Sequence, residues 1–239
     1  MQQPSTTVAL ICQTLLSHID EGTWRDEARL PSERTLSEQF STTRITLREA
    51  LLQLESQGVI YREPRRGWFI SPPRIVYNPL QRSHFHAMVE QQGRRAATEV
   101  LEAREMAASD VIGHQLMLPI GAKVYQIRRL RRVDERAVLY VEHYLNPAFF
   151  PNILLSDLTQ SLTDLYETRY DIRYGRVRFT MLPTPVSPLA ASALNVATGS
   201  PALFITRINR EQSDRIIDCD HEYWRYDAIH IDVEAVERR

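Results

Sequence analysis

The chain has 239 residues, a formal net charge of −1 at pH 7 and 43% hydrophobic residues. This composition argues against a disordered protein and against a uniformly basic, polyanion-binding one. The sequence has no run of about 18 apolar residues that would span a membrane, and its first residues lack the pattern of a secretory signal. We therefore expect a cytoplasmic protein without membrane segments.

Arginine supplies nearly all of the positive charge, because Lys123 is the only lysine among 29 basic residues. The planar guanidinium suits bidentate recognition of phosphates, carboxylates and guanine edges. A GC-rich genome, which favours arginine codons, explains the same bias equally well. Composition alone therefore leaves the partner open.

Three segments with helical periodicity occupy the first 57 residues. Apolar residues recur at helical spacing from Val8 to Ile19, a second short helix is expected after Pro31-Ser32-Glu33, and a third runs through Gln57. The apolar stripe of the third helix consists of Leu47, Ala50, Leu51 and Leu54. Gly58 follows it, where a left-handed C-terminal cap is expected.

Two short β-prone runs come next, at 59–61 and 68–70, and residues 62–67 between them form a hairpin turn with arginines at its tip. A small helical bundle with solvated arginines accounts for the charges. It does not account for the order of helix, helix, tight turn, helix and basic hairpin. That order predicts a winged helix-turn-helix over residues 1–70.

The third helix carries polar side chains beside its apolar stripe. Arg44 and Arg48 lie one turn apart on one flank, and Thr46 lies on the other. Arginine can bond guanine bidentately, and threonine can meet a thymine methyl or a phosphate. The first turn of such a helix usually enters the major groove. Arg65 and Arg66 on the hairpin are expected to reach a phosphate or a minor groove.

Four motifs in this domain have a recognisable combination: Leu30-Pro31-Ser32-Glu33-Arg34, the run 43–51, Leu54 with Gly58, and Arg66-Gly67-Trp68-Phe69-Ile70. Together they resemble the GntR family of bacterial regulators. The chain departs from that family at Pro64-Arg65, where a glycine-bearing wing tip is usual, and at Trp68, which is bulkier than the usual threonine. With this resemblance, the DNA-binding candidates are Arg34, Thr43, Arg44, Thr46, Arg48, Arg65, Arg66 and Gly67.

Residues 71–82 contain three prolines and no periodic pattern, so they are predicted to be an interdomain linker. The remaining residues, 83–239, alternate strands and helices. The expected strands are 123–133, 138–145, 174–182, 202–211 and 216–224, and the expected helices are 109–117, 161–169 and 187–194. Short connections between consecutive strands predict an antiparallel sheet with helices against it, so the fold class is α+β.

The densest charge lies in the predicted strand at Arg128-Arg129-Leu130-Arg131-Arg132. Arg129 and Arg131 point to one face of a strand, and their neighbours point to the other. Two like charges about 7 Å apart repel each other, and a phosphate or phosphonate bound between them would relieve that cost. A solvated face paired with glutamates is the alternative.

Looser motifs recur along the second domain: Arg129-Leu130-Arg131 with Asp134, Tyr144-Leu145, Asp157-Leu158 with Ser161-Leu162, Ala193-Leu194 with Pro201-Ala202-Leu203, and Arg225 with Asp227. They resemble the effector (UTRA) domain of the HutC branch of GntR regulators, which has a chorismate-lyase-like fold. The resemblance implies an anion held by Arg129 and Arg131. It also implies help from Ser161 and a loop at His84-Phe85-His86, with an acid matching Asp218 at the effector's polar end.

Further strings, among them Glu90-Gln91-Gln92-Gly93-Arg94, Ser161-Leu162-Thr163 and Glu222-Tyr223-Trp224-Arg225, resemble regulators of 2-aminoethylphosphonate catabolism. An ammonium group needs carboxylates or aromatic faces. Asp218, Asp220 and Glu222 share one strand face and would supply them with Glu142 and Trp224. The effector-binding candidates are His84, Phe85, His86, Arg129, Arg131, Glu142, Ser161, Thr163, Asp218, Asp220, Glu222 and Trp224.

Other chemistry finds little support in the sequence. His84 and His86 lack a third ligand with suitable spacing, so we expect no metal site and no cofactor. GxSxG, P-loop and HExxH motifs are absent. We expect a homodimeric regulator, not an enzyme, that binds a pseudo-palindromic operator and responds to an anionic or zwitterionic effector, here a phosphonate. A sugar phosphate, a urocanate-like acid, or a lyase-like enzyme fused to a DNA-binding domain are the alternatives.

Overall fold

The computed structural model describes residues 6–24, 28–81 and 84–234. The chain forms two compact units: the first comprises the part up to Arg74 together with 195–197, and the second comprises 75–194 and the part from 198 on. Each unit is described by itself. Within the described ranges, no helix is long and apolar enough to cross a membrane.

The first unit contains three helices and a two-stranded antiparallel hairpin. Their bounds are α1 Thr6–Asp20, α2 Glu33–Gln39, α3 Arg44–Ser56, β1 Ile60–Glu63 and β2 Gly67–Ile70. The side chains of Ser32 and Thr43 cap α2 and α3 by accepting hydrogen bonds from backbone N–H groups three residues on. The stripe predicted on α3 is fully buried against α1 and the hairpin.

Gly58 ends α3 as the sequence predicts. Its φ is +75°, its N–H donates to Glu55 O, and the N–H of Val59 donates to Leu54 O. These two bonds form a Schellman motif, which needs a left-handed residue at this position. The cap turns the chain directly into β1.

The second unit is a six-stranded antiparallel sheet with helices against it and a separate two-stranded parallel pair. The strands are β3 Ile75–Tyr77, β4 Ala96–Ala107, β5 Lys123–Val133, β6 Arg136–Leu145, β7 Tyr174–Pro185, β8 Pro201–Glu211, β9 Ile216–Arg225 and β10 Ile229–Ile231. The order of strands in the six-stranded sheet is β4-β5-β6-β9-β8-β7, and β3 pairs with β10. The helices are α4 Phe85–Glu90, α5 Asp110–Leu116, α6 Leu162–Tyr170 and α7 Pro188–Leu194, with a 3₁₀ turn at Ile153–Leu155. The predicted α+β class, with an antiparallel sheet, is confirmed.

Three features differ from the sequence expectation. Part of the segment expected as a linker is β3, which pairs in parallel with β10; a three-residue strand is too short to show periodicity. The expected loop at His84-Phe85-His86 is the start of α4, with His84 as its N-cap. The 12-residue strand β4 was not predicted.

Strand register brings three rows of side chains onto one face of the sheet. Cross-strand partners in the first row are Arg131, Leu139 and Trp224; in the second, Arg129, Val141 and Glu222; in the third, His143, Asp220, Arg207 and Phe179. Side chains alternate between the two faces of a strand. Residues far apart in the sequence therefore converge on one patch.

Candidate functional site

The DNA-binding candidates of the first unit lie on its exposed surface around α3 and the hairpin. Arg44, the first residue of α3, is exposed. Thr43 caps the helix and exchanges a 3.0 Å hydrogen bond with the hydroxyl of Thr46. This contact commits the hydroxyl of Thr43 to the cap, whereas the exposed side chain of Arg44 has no such role.

Several of the other candidate arginines are ion-paired with glutamates. Arg34 Nη1 donates to Glu38 at 3.1 Å, and Arg66 pairs with Glu63 across the turn of the hairpin. Both arginines are mostly exposed, so these surface pairs cost little to exchange for a phosphate.

The hairpin turn suits Pro64 and places an arginine at a positive φ. Pro64 and Arg65 are its central residues, with the N–H of Arg66 donating to Glu63 O at 3.1 Å and a φ of +65° at Arg65. A positive φ at the third position is the geometry of a type II turn. Gly67 follows at a φ of +103°, so the turn presents Arg65 to solvent without the glycine-bearing tip that is usual in the GntR family.

Arg48 is tied to the hairpin through Glu33. Its Nε donates to Glu33 Oε2 at 2.7 Å, and Trp68 Nε1 donates to the other oxygen of the same carboxylate at 3.1 Å. The three residues line a cleft that is also bordered by Arg29, Arg62, Arg65 and Arg66. This surface is locally basic although the whole chain is not.

The second unit contains a cavity of about 420 Å³ above the three rows on the sheet face. Ten of the predicted effector residues line it: His84, Phe85, His86, Arg129, Arg131, Ser161, Thr163, Asp220, Glu222 and Trp224. Helices α4 and α6 contribute their first turns, with His84 and Ser161 as the N-cap residues. The cavity is thus lined by sheet side chains and by two helix N-termini.

Arg129 is buried and almost fully hydrogen-bonded by the protein. Its Nε and Nη2 donate to His143 Nε2 at 3.0 and 2.8 Å, and its Nη1 donates to the carbonyls of Leu158 and Gln160. His143 Nδ1 in turn lies 2.6 Å from Asp220 Oδ1. Burial lowers the pKa of Arg129 to about 10, so the side chain is charged at neutral pH.

Arg131 is buried to a similar degree but has few partners. Its Nη1 donates to Thr98 Oγ1 at 2.9 Å, its guanidinium lies 4.8 Å from the centroid of Phe85, and its Nε has no hydrogen-bond partner among the described residues. Burial, together with the neighbouring charge of Arg129, lowers the pKa of Arg131. A buried cation without a carboxylate partner is costly, and here it faces a cavity.

The acidic residues of the cavity are already engaged by a third arginine. Arg207 Nη1 donates to Glu222 Oε1 at 3.3 Å, and its Nε lies 3.8 Å from Asp220. The second oxygen of Glu222 accepts a hydrogen bond from Trp224 Nε1 at 2.8 Å. The pKa of Asp220 is below its ordinary value, because burial is outweighed by His143, Arg207 and Asn209. An ammonium ligand would therefore compete with Arg207 for these carboxylates.

Two predicted effector residues do not line the cavity. Glu142 lies on the opposite face of the sheet, where it accepts hydrogen bonds from Arg128, Tyr140 and Tyr144. Strand alternation explains this, because its neighbours Val141 and His143 face the cavity.

Asp218, the second of these residues, is on the cavity face, but one row further along the sheet. It is buried beneath Tyr174 and bonded to Asn209, and burial and Asp220 raise its pKa to about 7.

Among the polar cavity residues that sequence reasoning missed are Tyr77, His143 and Arg207. Tyr77 belongs to the segment expected as a linker. His143 and Arg207 lie on strands that were predicted, and each points to the cavity by alternation. What was lacking was the register between strands, which no local pattern encodes.

A winged helix with an exposed arginine-bearing helix, joined in one chain to an α+β unit with a charged cavity, defines a ligand-responsive DNA-binding transcription regulator. Residues 7–70 match the gntR family of bacterial regulatory proteins and residues 91–230 match the UTRA domain. The chain belongs to the GntR regulators that carry a UTRA effector domain.

Individual relatives support the same class. The chain is 27% identical over 230 residues to the uncharacterized HTH-type transcriptional regulator YihL of Escherichia coli K12, covering 96% of this chain and 98% of YihL. It is 23% identical to the transcriptional repressor NagR of Bacillus subtilis, covering 95% and 93%. The crystal structure of PhnF from Mycobacterium smegmatis is similar in fold, with a TM-score of 0.66 at 22% identity over 92% of this chain and 99% of PhnF.

Proposed function

We propose that this regulator senses 2-aminoethylphosphonate or a closely related phosphonate and controls a catabolic operon. The observation that carries the proposal is Arg131, a buried guanidinium that faces the cavity and makes one side-chain hydrogen bond within the described part of the chain. A phosphonate oxygen would supply charge-assisted hydrogen bonds that the protein does not. The first turns of α4 and α6 and the side chains of Ser161 and Thr163 line the same cavity.

The charge of the cavity floor suits an effector with a net negative charge. Three guanidiniums, those of Arg129, Arg131 and Arg207, stand against the carboxylates of Asp220 and Glu222. Glu222 and the indole of Trp224 line the same cavity, where an ammonium would meet a carboxylate and an aromatic face. A zwitterion with a doubly charged anionic end fits this distribution.

A sugar phosphate is the second candidate, because the same arginines would hold its phosphate. One relative, 23% identical over 227 residues, is a probable fructoselysine utilization operon repressor of Escherichia coli K12. A sugar would bond Asp220 and Glu222 through hydroxyl groups, which need no positive charge. The two candidates therefore differ at the acidic end of the cavity and not at the arginines.

Titration calorimetry distinguishes them. We expect 2-aminoethylphosphonate to bind the purified protein, and Arg131→Gln to weaken binding about 100-fold, since a buried charge-assisted contact is lost. Arg132→Gln is the matched control, because Arg132 pairs with Glu99 and does not line the cavity. If the protein binds a sugar phosphate but not the phosphonate, the sugar phosphate becomes the proposed effector. If neither compound gives a heat of binding, both proposals are rejected.

We further propose that a homodimer binds a pseudo-palindromic operator through two copies of α3. The exposed position of Arg44 at the start of that helix supports a contact between α3 and DNA. In fluorescence anisotropy with a selected operator, Arg44→Ala and Arg48→Ala should each weaken binding at least tenfold. Arg178→Ala, which removes an exposed arginine on β7 of the other unit, should not; unchanged affinity in both α3 variants would contradict the assignment.

A further inference from the structure

We infer that Trp68 is a positioning residue for operator recognition, which sets the direction of Arg48 through the carboxylate of Glu33. The inference goes beyond effector sensing and rests on the proposed contact between Arg48 and DNA. It is carried by one bridging group: Glu33 accepts from the Trp68 indole with one oxygen and from Arg48 with the other.

The bridge joins three separate elements. Trp68 lies on β2 of the hairpin, Glu33 is the first residue of α2, and Arg48 is in the second turn of α3. The tryptophan is only 3% exposed and packs in the core of the unit, so its N–H has a fixed direction. The Glu33 carboxylate, bound to the Trp68 indole through one oxygen, has its other oxygen available for Arg48 on α3.

The geometry at Arg48 leaves its recognition edge free. Only Nε is used by Glu33, while the side chain as a whole is 60% exposed. The two terminal nitrogens, which together form the fork for guanine O6 and N7, therefore remain available. An arginine anchored at Nε loses less side-chain freedom on binding than a free one, which favours the complex.

The charge state of the bridge is suited to this role. The pKa of Glu33 is lowered, because the burial that would raise it is outweighed by hydrogen bonds from Arg48 and Trp68. Arg62 adds to this positive surrounding, with its guanidinium 5.8 Å from the centroid of the Trp68 ring. Glu33 is thus a carboxylate at the pH of operator binding.

The distinguishing substitution is Trp68→Phe, which keeps an aromatic ring in the core and removes the N–H donor. We expect it to weaken operator binding about three- to tenfold and to relax discrimination at the same base pairs that Arg48→Ala relaxes. In the double variant with Arg48→Ala, the effect of Trp68→Phe should fall below twofold, because residues that act through one group are not additive. Anisotropy titrations against a panel of single-base operator variants measure both quantities.

The matched control is Trp24→Phe in the same unit, whose indole makes no hydrogen bond among the described residues and whose ring lies edge-on to His18. It should leave base discrimination unchanged. If Trp68→Phe does not fold, Glu33→Gln tests the bridge from its centre, with the same base pairs relaxed and thermal unfolding retained.

Two outcomes separate this inference from the proposed function. If the Arg48→Ala variant binds the operator as tightly as the wild type, Arg48 does not contact the operator, and the proposed contact itself is wrong. Weak binding by Arg48→Ala, combined with an equal effect of Trp68→Phe in both backgrounds, would leave Arg48 as a DNA contact and reduce Trp68 to core packing.

Discussion

Arg129 and Arg131 lie two residues apart on β5 and face the same cavity, but the protein satisfies them very differently. An arginine has five N–H donors. Among the residues that the structure describes, four of the donors of Arg129 are bonded to His143 and to two backbone carbonyls, whereas Arg131 uses one, on Thr98. The arginine pair expected from strand alternation is therefore asymmetric: Arg129 is bonded within the protein, and Arg131 is the one that we propose binds the effector.

This difference gives a prediction about stability and binding together. Arg131→Gln should weaken phosphonate binding but leave the free energy of unfolding unchanged or higher, because it removes a buried charge without a counter-ion. Arg129→Gln should lower the free energy of unfolding by at least about 2 kcal/mol, because His143 and two carbonyls lose their donors. Urea unfolding of both variants checks this; equal destabilisation by the two would show that Arg131 is structural as well.

Helix α3 and strand β4 show what can and cannot be predicted at the scale of elements. Helix α3 carries its own start and stop signals, in Thr43 and Gly58, and its bounds follow within a residue. Strand β4 has the sequence AATEVLEAREMA, rich in residues that favour helices. It lies at the edge of the sheet, and none of its residues is buried, so it lacks the strong apolar alternation of a half-buried strand. Its pairing with β5 makes it a strand.

The cap of α3 allows a test at this scale. Gly58→Ala places a side chain at a φ of +75°, and its Cβ would lie 2.5 Å from the Arg74 guanidinium, which must move. A left-handed alanine costs about 1–2 kcal/mol, and the unfolding free energy of the first unit should fall by that amount. Gln57→Ala, one residue earlier at an ordinary φ of −82°, should change it by less than about 0.5 kcal/mol; urea unfolding followed by tryptophan fluorescence compares the two.

At the scale of the whole molecule, the second unit places a chain of buried polar groups beside its cavity. Arg129, His143, Asp220, Asn209 and Asp218 are linked in that order by side-chain hydrogen bonds. Their protonation is set by burial as much as by charge, which lowers the pKa of His143 to about 4 and raises that of Asp218 to about 7. The stability of the unit is therefore coupled to pH through the groups that hold Arg129.

His143 determines the sign of one part of this coupling. Its pKa is about 4 in the folded chain and about 6.5 in an unfolded one, so between these values the unfolded chain binds the extra proton. The contribution of a neutral His143 is thus present above pH 6.5 and is lost as the pH falls toward 4. Asp218, with its raised pKa, acts in the opposite direction over the same range. The pH dependence of the unfolding free energy of the wild type alone would therefore not show either effect separately.

Comparison with His143→Gln isolates the histidine, because Asp218 is present in both proteins. We expect the unfolding free energy of the wild type, relative to that of the variant, to fall by about 2 kcal/mol between pH 7 and pH 5. Urea unfolding at pH 5, 6 and 7 measures the difference. His114→Gln, at an exposed position on α5, is the control and should run parallel to the wild type. A wild type that also runs parallel to His143→Gln would mean that the imidazole is protonated with little cost in the fold, and Nε2 would then no longer accept from Arg129.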